Sequence, residues 1–245
     1  MPQDIVLLTA LIMLAINSAG LGLSLWVAGS ESATSTGQPL TSRATLLERL
    51  PLIGFNLATL LLLSLGSLHF LEGIFDWGAP AWFIAGAQLL WVSLVDDTIF
   101  YFYHRWLHLN RAVYRAIHRI HHKAHAPVPI EYIYVHPFEW MGGSAGPFLG
   151  FASLYALTGH LNAWVFLAYT AYRTIHELSI HGGRRSRIGE RIWWYGTPRH
   201  HGFHHSRPHD GNYAATYIFW DRFLNTEVGG ETSSPSPITS EPQSG

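Results

Sequence analysis

No cysteine occurs among the 245 residues. Disulfides, thiolate zinc sites and cysteine-ligated iron–sulfur clusters are therefore excluded, although the compartment is not identified by this alone. Charge is also scarce. Lys, Arg, Asp and Glu make up 13% of the chain, against about 25% for a typical soluble domain, and that deficit points to a membrane. The formal net charge of −1 leaves no basic footprint for nucleic acid. No haem, flavin or nicotinamide motif is recognisable, so redox chemistry here would need electrons from a separate protein.

Apolar sequence is plentiful: 48% of the chain is hydrophobic. Residues 5–28 carry no charged side chain. As a helix rising about 1.5 Å per residue they cover a ~30 Å hydrocarbon core with some tilt. A cleaved signal peptide is the alternative, disfavoured because Met1-Pro-Gln-Asp4 lacks the positive flank such a segment needs. A second span is expected over residues 50–71, centred on Leu60 to Leu63. A third, over 80–103, runs straight into a histidine pair. Asp96 and Asp97 near its end are costly in lipid and should face protein or water. The stretch 140–178 is apolar from Trp140 to Leu157 and from Leu161 to Ile175, with Thr158-Gly159-His160 between. Two crossings and a re-entrant hairpin both fit. Glycines at 142, 143, 146 and 150 would allow close helix packing.

Basic residues set the expected orientation. Thirteen of the 15 Lys and Arg lie in 105–222, among them Arg105, Arg111, Arg115, Arg119, Lys123, Arg184, Arg185, Arg187 and Arg191. The positive-inside rule then puts this region in the cytoplasm and the N-terminus outside. The stretch from Gly229 to Gly245 is rich in Gly, Ser and Pro, and reads as a disordered tail.

Fifteen of the 16 histidines fall between residues 104 and 209. Three clusters stand out: His104-Arg-Trp-Leu-His108, His118-Arg-Ile-His121-His122 and His201-Gly-Phe-His204-His205. Offsets of three and four place side chains on one helix face, so each cluster is expected to aim its imidazoles one way. A single histidine is usually a surface or hydrogen-bonded core residue, and His69, His125, His160 and His209 are read so. Two copies of H-x-x-H-H and a third pair are different. Imidazole is a ligand for zinc, copper, iron and nickel, and eight of them exceed what one ion needs. A polynuclear metal site is the first inference. Its position at the ends of hydrophobic helices suits a substrate dissolved in lipid.

The same residues resemble the fatty acid hydroxylase superfamily, the integral-membrane di-iron oxidases that include sterol desaturases, sterol methyl oxidases and sphingolipid hydroxylases. The likeness runs from about Asp97 to Thr226. Asp97-Thr-Ile-Phe-Tyr-Phe-Tyr-His104-Arg-Trp-Leu-His108 resembles the first histidine box, and Tyr114-Arg-Ala-Ile-His118-Arg-Ile-His121-His122-Lys123 the second. His136-Pro-Phe-Glu139 is similar to the segment that follows. Thr197-Pro-Arg-His-His201-Gly-Phe-His204-His205-Ser206 resembles the last box. Asn212-Tyr213 and Trp220-Asp221-Arg222-Phe223-Leu224-Asn225-Thr226 resemble the closing segment, with Asn225 where glycine is commoner.

This resemblance implies an all-α integral membrane protein with three to five transmembrane helices and a cytoplasmic, histidine-rich cap. Residues 1–96 would be membrane helices, 97–228 the catalytic domain and 229–245 the tail. The metal ligands would be His104, His108, His118, His121, His122, His201, His204 and His205. His176 and His181 would join them, with His136 as a further possibility, while His200 is out of register with the last box. Asp97, Glu139, Glu177 and Asp221 are candidates to accept the second ring N–H of a ligating histidine. The activity would be O2-dependent hydroxylation or desaturation of a sterol, fatty acyl or related lipid on two irons, for which zinc can substitute in preparations. An external electron-donor protein would be required. Two other classes compete: a membrane zinc hydrolase using Glu139 or Glu177 as base, and a divalent-metal transporter, whose ligands would lie nearer the membrane midplane.

Overall fold

The computed structural model describes residues 4–28, 38–183 and 189–229. The expected tail past Gly229, Arg184, Arg185, Arg187 and most of the 30–42 loop lie outside them. Three long helices come first: α1 (Ile5–Val27), α2 (Arg43–Leu71) and α3 (Trp82–Leu109). Each is long and apolar enough to cross a membrane. Side-chain caps explain two starts. Asp4 accepts from the Leu7 amide at 2.9 Å, and Ser42 from the Thr45 amide at 3.2 Å. The Ser42 cap starts α2 seven residues before the expected second span, and α3 runs six residues past the expected third, carrying both histidines of the first box on membrane helix. Large apolar side chains face outward along these helices, including Leu62, Phe70, Trp82 and Phe83. In water such faces would be a liability; against lipid they are the ordinary outer surface.

After a short helix, α4 (Arg111–Ala116), the second box lies in a 3-10 turn at His118–Lys123. Helix α5 (Pro137–Gly143) then leads into α6 (Ala145–Thr158). Gly159 ends α6 in the left-handed region, at φ 75°, and α7 (Ala163–Ile180) returns toward the histidines. The α6–α7 turn is pinned beside the α2–α3 turn. Strand β1 (Phe75–Asp76) pairs in parallel with β2 (Leu161–Asn162), with Phe75 opposite Leu161. The 140–178 stretch is therefore a hairpin that reaches the same depth as the far end of α3, so α6 and α7 join α1–α3 in one bundle. Small helices α8 (Pro198–Ser206) and α9 (Phe219–Phe223) complete the cap.

Two glycines let α6 lie against α3. A Cβ on Gly146 would sit 2.1 Å from Asp96 Oδ1 and 2.9 Å from its carbonyl oxygen, and one on Gly150 would meet the Val92 backbone at 3.1 Å. Asp96, expected to avoid lipid, does so here: Arg173 Nε donates to its Oδ2 at 2.6 Å, and the Tyr169 hydroxyl donates to the same oxygen.

Polar residues on α1 and α2 hold the loop after the second box. Asn56 Nδ2 donates to the Ile133 and Val135 carbonyls at 3.0 and 2.9 Å, while its Oδ1 accepts from Trp140 Nε1. Ser24 Oγ accepts from the Ile130 amide, and Asn17 Oδ1 from the Tyr132 hydroxyl. Arg49 pairs with the fully buried Glu131, whose Oε2 also accepts from the Val128 amide. Irregular backbone at the end of an apolar bundle is tolerable only when its polar groups are satisfied this way.

Candidate metal centre

Nine buried histidines form two groups. His104, His108, His118, His122 and His204 make the first, and His121, His181, His201 and His205 the second. Within each, one ligand atom per residue lies within 4.8 Å of the others. All converge through Nε2. In the first group His118 Nε2 is 2.8 Å from that of His108, 3.1 Å from His104 and 3.0 Å from His122. In the second, His201 Nε2 is 3.0 Å from His181 and 3.1 Å from His205. Nitrogens ~2.1 Å from a shared ion stand about 3.0 Å apart at right angles and about 3.4 Å apart in a tetrahedron. The observed spacings match the edges of such a polyhedron.

Hydrogen bonds on the far side of the rings decide whether these contacts are between protons or lone pairs. His104 Nδ1 donates to the Tyr213 carbonyl at 2.7 Å, His204 to Gly211 at 2.8 Å, His205 to Ala124 at 2.8 Å, His181 to Glu177 at 2.8 Å and His121 to Tyr134 at 3.4 Å. His118 Nδ1 lies 2.8 Å from Glu139 Oε1. A ring with its proton on Nδ1 presents a bare lone pair at Nε2. Five of the nine imidazoles are fixed this way by carbonyls, and Nδ1 of His108, His122 and His201 has no partner among the described residues; lone pairs so close together repel one another unless a cation sits among them. The donor set therefore fits two divalent metal ions.

Burial keeps these rings neutral. It pushes His118, His121, His122, His201, His204 and His205 well below the usual histidine range, and neighbouring imidazoles push them further. Neutral imidazole is the form that ligates. Burial moves the Glu139 carboxyl the other way, well above the carboxylate range. A dication across the His118 ring would favour the ionised carboxylate.

The clusters do not each point one way, as their spacing had implied. Each H-x-x-H-H box divides. His118 and His122 enter the first group and His121 the second; His201 and His205 enter the second and His204 the first. In α8 the cause is simple. Positions i and i+4 differ by about 40° around the axis, whereas i+3 and i+4 differ by about 100°. Adjacent histidines thus serve neighbouring centres. The second box achieves the same split from a 3-10 turn.

His181 joins the second group, and His176 does not join either. Its Nδ1 is 2.7 Å from the Tyr195 hydroxyl and its Nε2 is 3.2 Å from the Ala215 carbonyl. Five positions along α7 turn it about 140° from His181, so only one of the two can face the centre. His136 is also placed apart: it caps α5, with Nδ1 accepting from the Phe138 amide at 3.2 Å.

Of the four carboxylates considered, only Glu139 lies within 3.5 Å of a ring nitrogen of the groups, His118 Nδ1 at 2.8 Å. Glu177 contributes its carbonyl to His181, with its carboxylate 3.9 Å from that ring. Asp97 touches none of the nine; it accepts from the Thr216 and Tyr217 amides at 2.7 and 3.2 Å. Asp221 accepts from the Tyr213 and Ala214 amides, both at 2.9 Å, and from Thr226 Oγ1 at 2.7 Å, and it lies 3.3 Å from His200 Nε2. Both aspartates act through backbone. They fix the segment whose Gly211, Tyr213 and Ala215 carbonyls accept from His204, His104 and His176. Sequence patterns gave no sign of these carbonyls, because a carbonyl carries no residue identity.

Beside the two groups lies a cavity of about 120 Å³. Its walls include His118, His121 and His201, the apolar Leu60, Phe100 and Ile133, and the charged Glu139, Arg173 and Glu177.

Membrane-length helices and a buried nine-imidazole centre able to hold two ions define the class: a membrane protein with a histidine-built metal site. Residues 89–226 match the model of the fatty acid hydroxylase family, and the chain belongs to that family. It is 36% identical over 157 residues to methylsterol monooxygenase 1 of Rattus norvegicus, covering 63% of this chain and 51% of that protein. The Danio rerio methylsterol monooxygenase 1 is 32% identical over 156 residues, 62% of this chain and 51% of the relative. A very-long-chain aldehyde decarbonylase of Oryza sativa subsp. indica is 31% identical over 162 residues, with 60% and 54% covered. The chain spans about half the length of these curated relatives. No solved structure gives a significant match.

Proposed function

We propose that this protein is an O2-dependent lipid oxidase that hydroxylates or desaturates its substrate on two iron ions, with residues 97–228 as the catalytic unit and 1–96 as its membrane base. The supporting observation is the pair of Nε2 nests beside a cavity that Leu60 and Phe100 of the membrane-length helices also line. His104, His108, His118, His122 and His204 would hold one ion and His121, His181, His201 and His205 the other. Iron supplies the one-electron chemistry with O2 that zinc lacks.

The chain's own part is placement. Backbone carbonyls fix five imidazoles in the ligating tautomer, and the Glu139 carboxylate lies beside His118 Nδ1. Leu60, Phe100 and Ile133 keep bulk water from the reacting end of a lipid. At about 120 Å³ the cavity has room for that end and not for a whole sterol or acyl chain. Likeness to methylsterol monooxygenases favours a methyl-bearing sterol-type lipid as substrate, and electrons would come from a separate donor protein.

The donor set weighs against a zinc hydrolase: nine imidazoles make up the two groups, more than one or two catalytic zinc ions use, while Glu139 and Glu177 both line the cavity. Lipid profiles of cells with and without the protein test the reading: a species heavier by one oxygen or lighter by two hydrogens is expected, and hydrolysis products alone would reject it. The basic flanks favour the cytoplasmic side for the centre by the positive-inside rule. A cysteine at Ile120, in this cysteine-free chain, should resist an impermeant thiol reagent added outside intact cells; labelling there would reverse the orientation.

A further inference from the structure

The cap carries an aromatic shelf that neither the metal centre nor the cavity uses. Trp193 is 70% exposed and Phe223 75%. With Phe219 and Trp220 they line one open groove, and the Arg222 guanidinium lies over the Trp193 ring at 5.6 Å. Arg222 is itself paired with Glu227, Nε to Oε2 at 2.8 Å, so the groove presents aromatic surface with its charge neutralised.

Contacts with α3 give the depth of this shelf. Starting at Trp82, about 20 residues of helix are needed to cross a ~30 Å core, which reaches Phe102. The shelf's segment docks at and below that level. Trp220 packs edge-on against Phe102, with ring centroids 5.2 Å apart, and its Nε1 donates to Thr98 Oγ1 at 3.2 Å. Tyr217 reaches deeper still, donating to Ser93 Oγ at 3.0 Å, while Asp97 caps the Thr216 and Tyr217 amides. Ser93 to Phe102 is about 13 Å of helix. Phe102 is itself half-exposed on the outer face of α3. The shelf is thus continuous with a surface that already faces lipid, and its backbone amides are satisfied as that depth requires.

We propose that Trp193, Phe219 and Phe223 lie in the lipid interface, so that the cap is sunk into one leaflet beside α3 rather than standing clear of it. The occupant of the groove is bilayer lipid, recognised through its interfacial methylenes and carbonyl region, where aromatic rings are favoured. With Arg222 neutralised, the interaction does not depend on anionic headgroups.

The absence of cysteine makes the test direct. Single variants Trp193→Cys and Phe223→Cys are spin-labelled in the full chain in phosphatidylcholine nanodiscs. Accessibility is read against O2, which concentrates in lipid, and against a water-soluble chromium chelate. Leu62→Cys on α2 gives the lipid reference and Asp210→Cys the solvent reference. Labels at 193 and 223 should favour O2 several-fold, as at 62. Accessibility like that at 210 overturns the proposal. So does protection from both agents, which would mean that protein covers the groove. Should either cysteine variant fail to fold, brominated lipid gives a second reading: it should quench less tryptophan fluorescence in Trp193→Phe than in the parent, and equal quenching overturns the proposal.

Discussion

Asp221→Ala removes a side chain that touches no clustered histidine, yet it should cost the metal centre an ion. Asp221 is fully buried and accepts from the Tyr213 and Ala214 amides and the Thr226 hydroxyl. Leaving two buried amides without acceptors costs about 1–3 kcal/mol each, so about 2–6 kcal/mol in all. That is a large part of the 5–15 kcal/mol that typically stabilises a folded domain. The loss falls on the segment whose Tyr213 carbonyl orients His104 and whose Gly211 carbonyl orients His204. Both rings belong to the five-histidine group, so that ion should be lost first. Metal content per chain by mass spectrometry, with thermal unfolding on the same sample, measures both effects. Asp221→Ala should fall from two ions toward one and melt at lower temperature. Two retained ions and an unchanged melting temperature would refute the link from carboxylate to backbone to ligand.

Alanine at His121, His181, His201 or His205 should cost one ion and abolish turnover, whereas His176→Ala should keep both ions and lose only some stability; metal analysis of the purified variants separates these outcomes. In the metal-free protein the six cap histidines held neutral by burial are depressed relative to the unfolded chain, so the unfolded state binds more protons below its pKa near 6.5. Stability is present above that pH and is lost as pH falls, at up to about 1.4 kcal/mol per pH unit for each such ring; circular dichroism melts of the apo form at pH 7.5 and 5.5 should show a steep drop, and equal melting temperatures at the two would refute it. Gly146→Leu should separate α6 from α3 at a cost of at least about 1–3 kcal/mol, while Gly54→Ala and Gly66→Ala, with open space around them, should be neutral; a melting series in detergent compares the three.

The three long helices and all eight histidines of the boxes were legible in the sequence because each signal is local: an apolar run, or a spacing that survives any packing. How the boxes divide between two centres was less so. It follows from helix geometry once the two centres are known to be neighbours, but nothing in the spacing says that they are. His176 and His181 were indistinguishable by residue type, and their five-residue offset showed only that both could not point the same way. The role of Asp97 and Asp221 was hidden because each acts on backbone amides, which carry no residue identity; those of Asp97 also lie 119 and 120 positions away, those of Asp221 7 and 8. Asn17 and Asn56 are amides set among the apolar residues of α1 and α2, where a polar side chain needs a partner. Their positions mark where the loop after the second box docks.

The central claim, a two-iron lipid oxidase, is tested most directly by isotope incorporation. Protein loaded with ferrous iron in bilayers of total lipid extract, with a chemical reductant, is exposed to 18O2, and the lipids are analysed by mass. The account predicts a product carrying one 18O atom, or lacking two hydrogens, formed only when both iron and O2 are present. Product formed by the zinc-loaded protein without O2, or oxygen drawn from water alone, would contradict it.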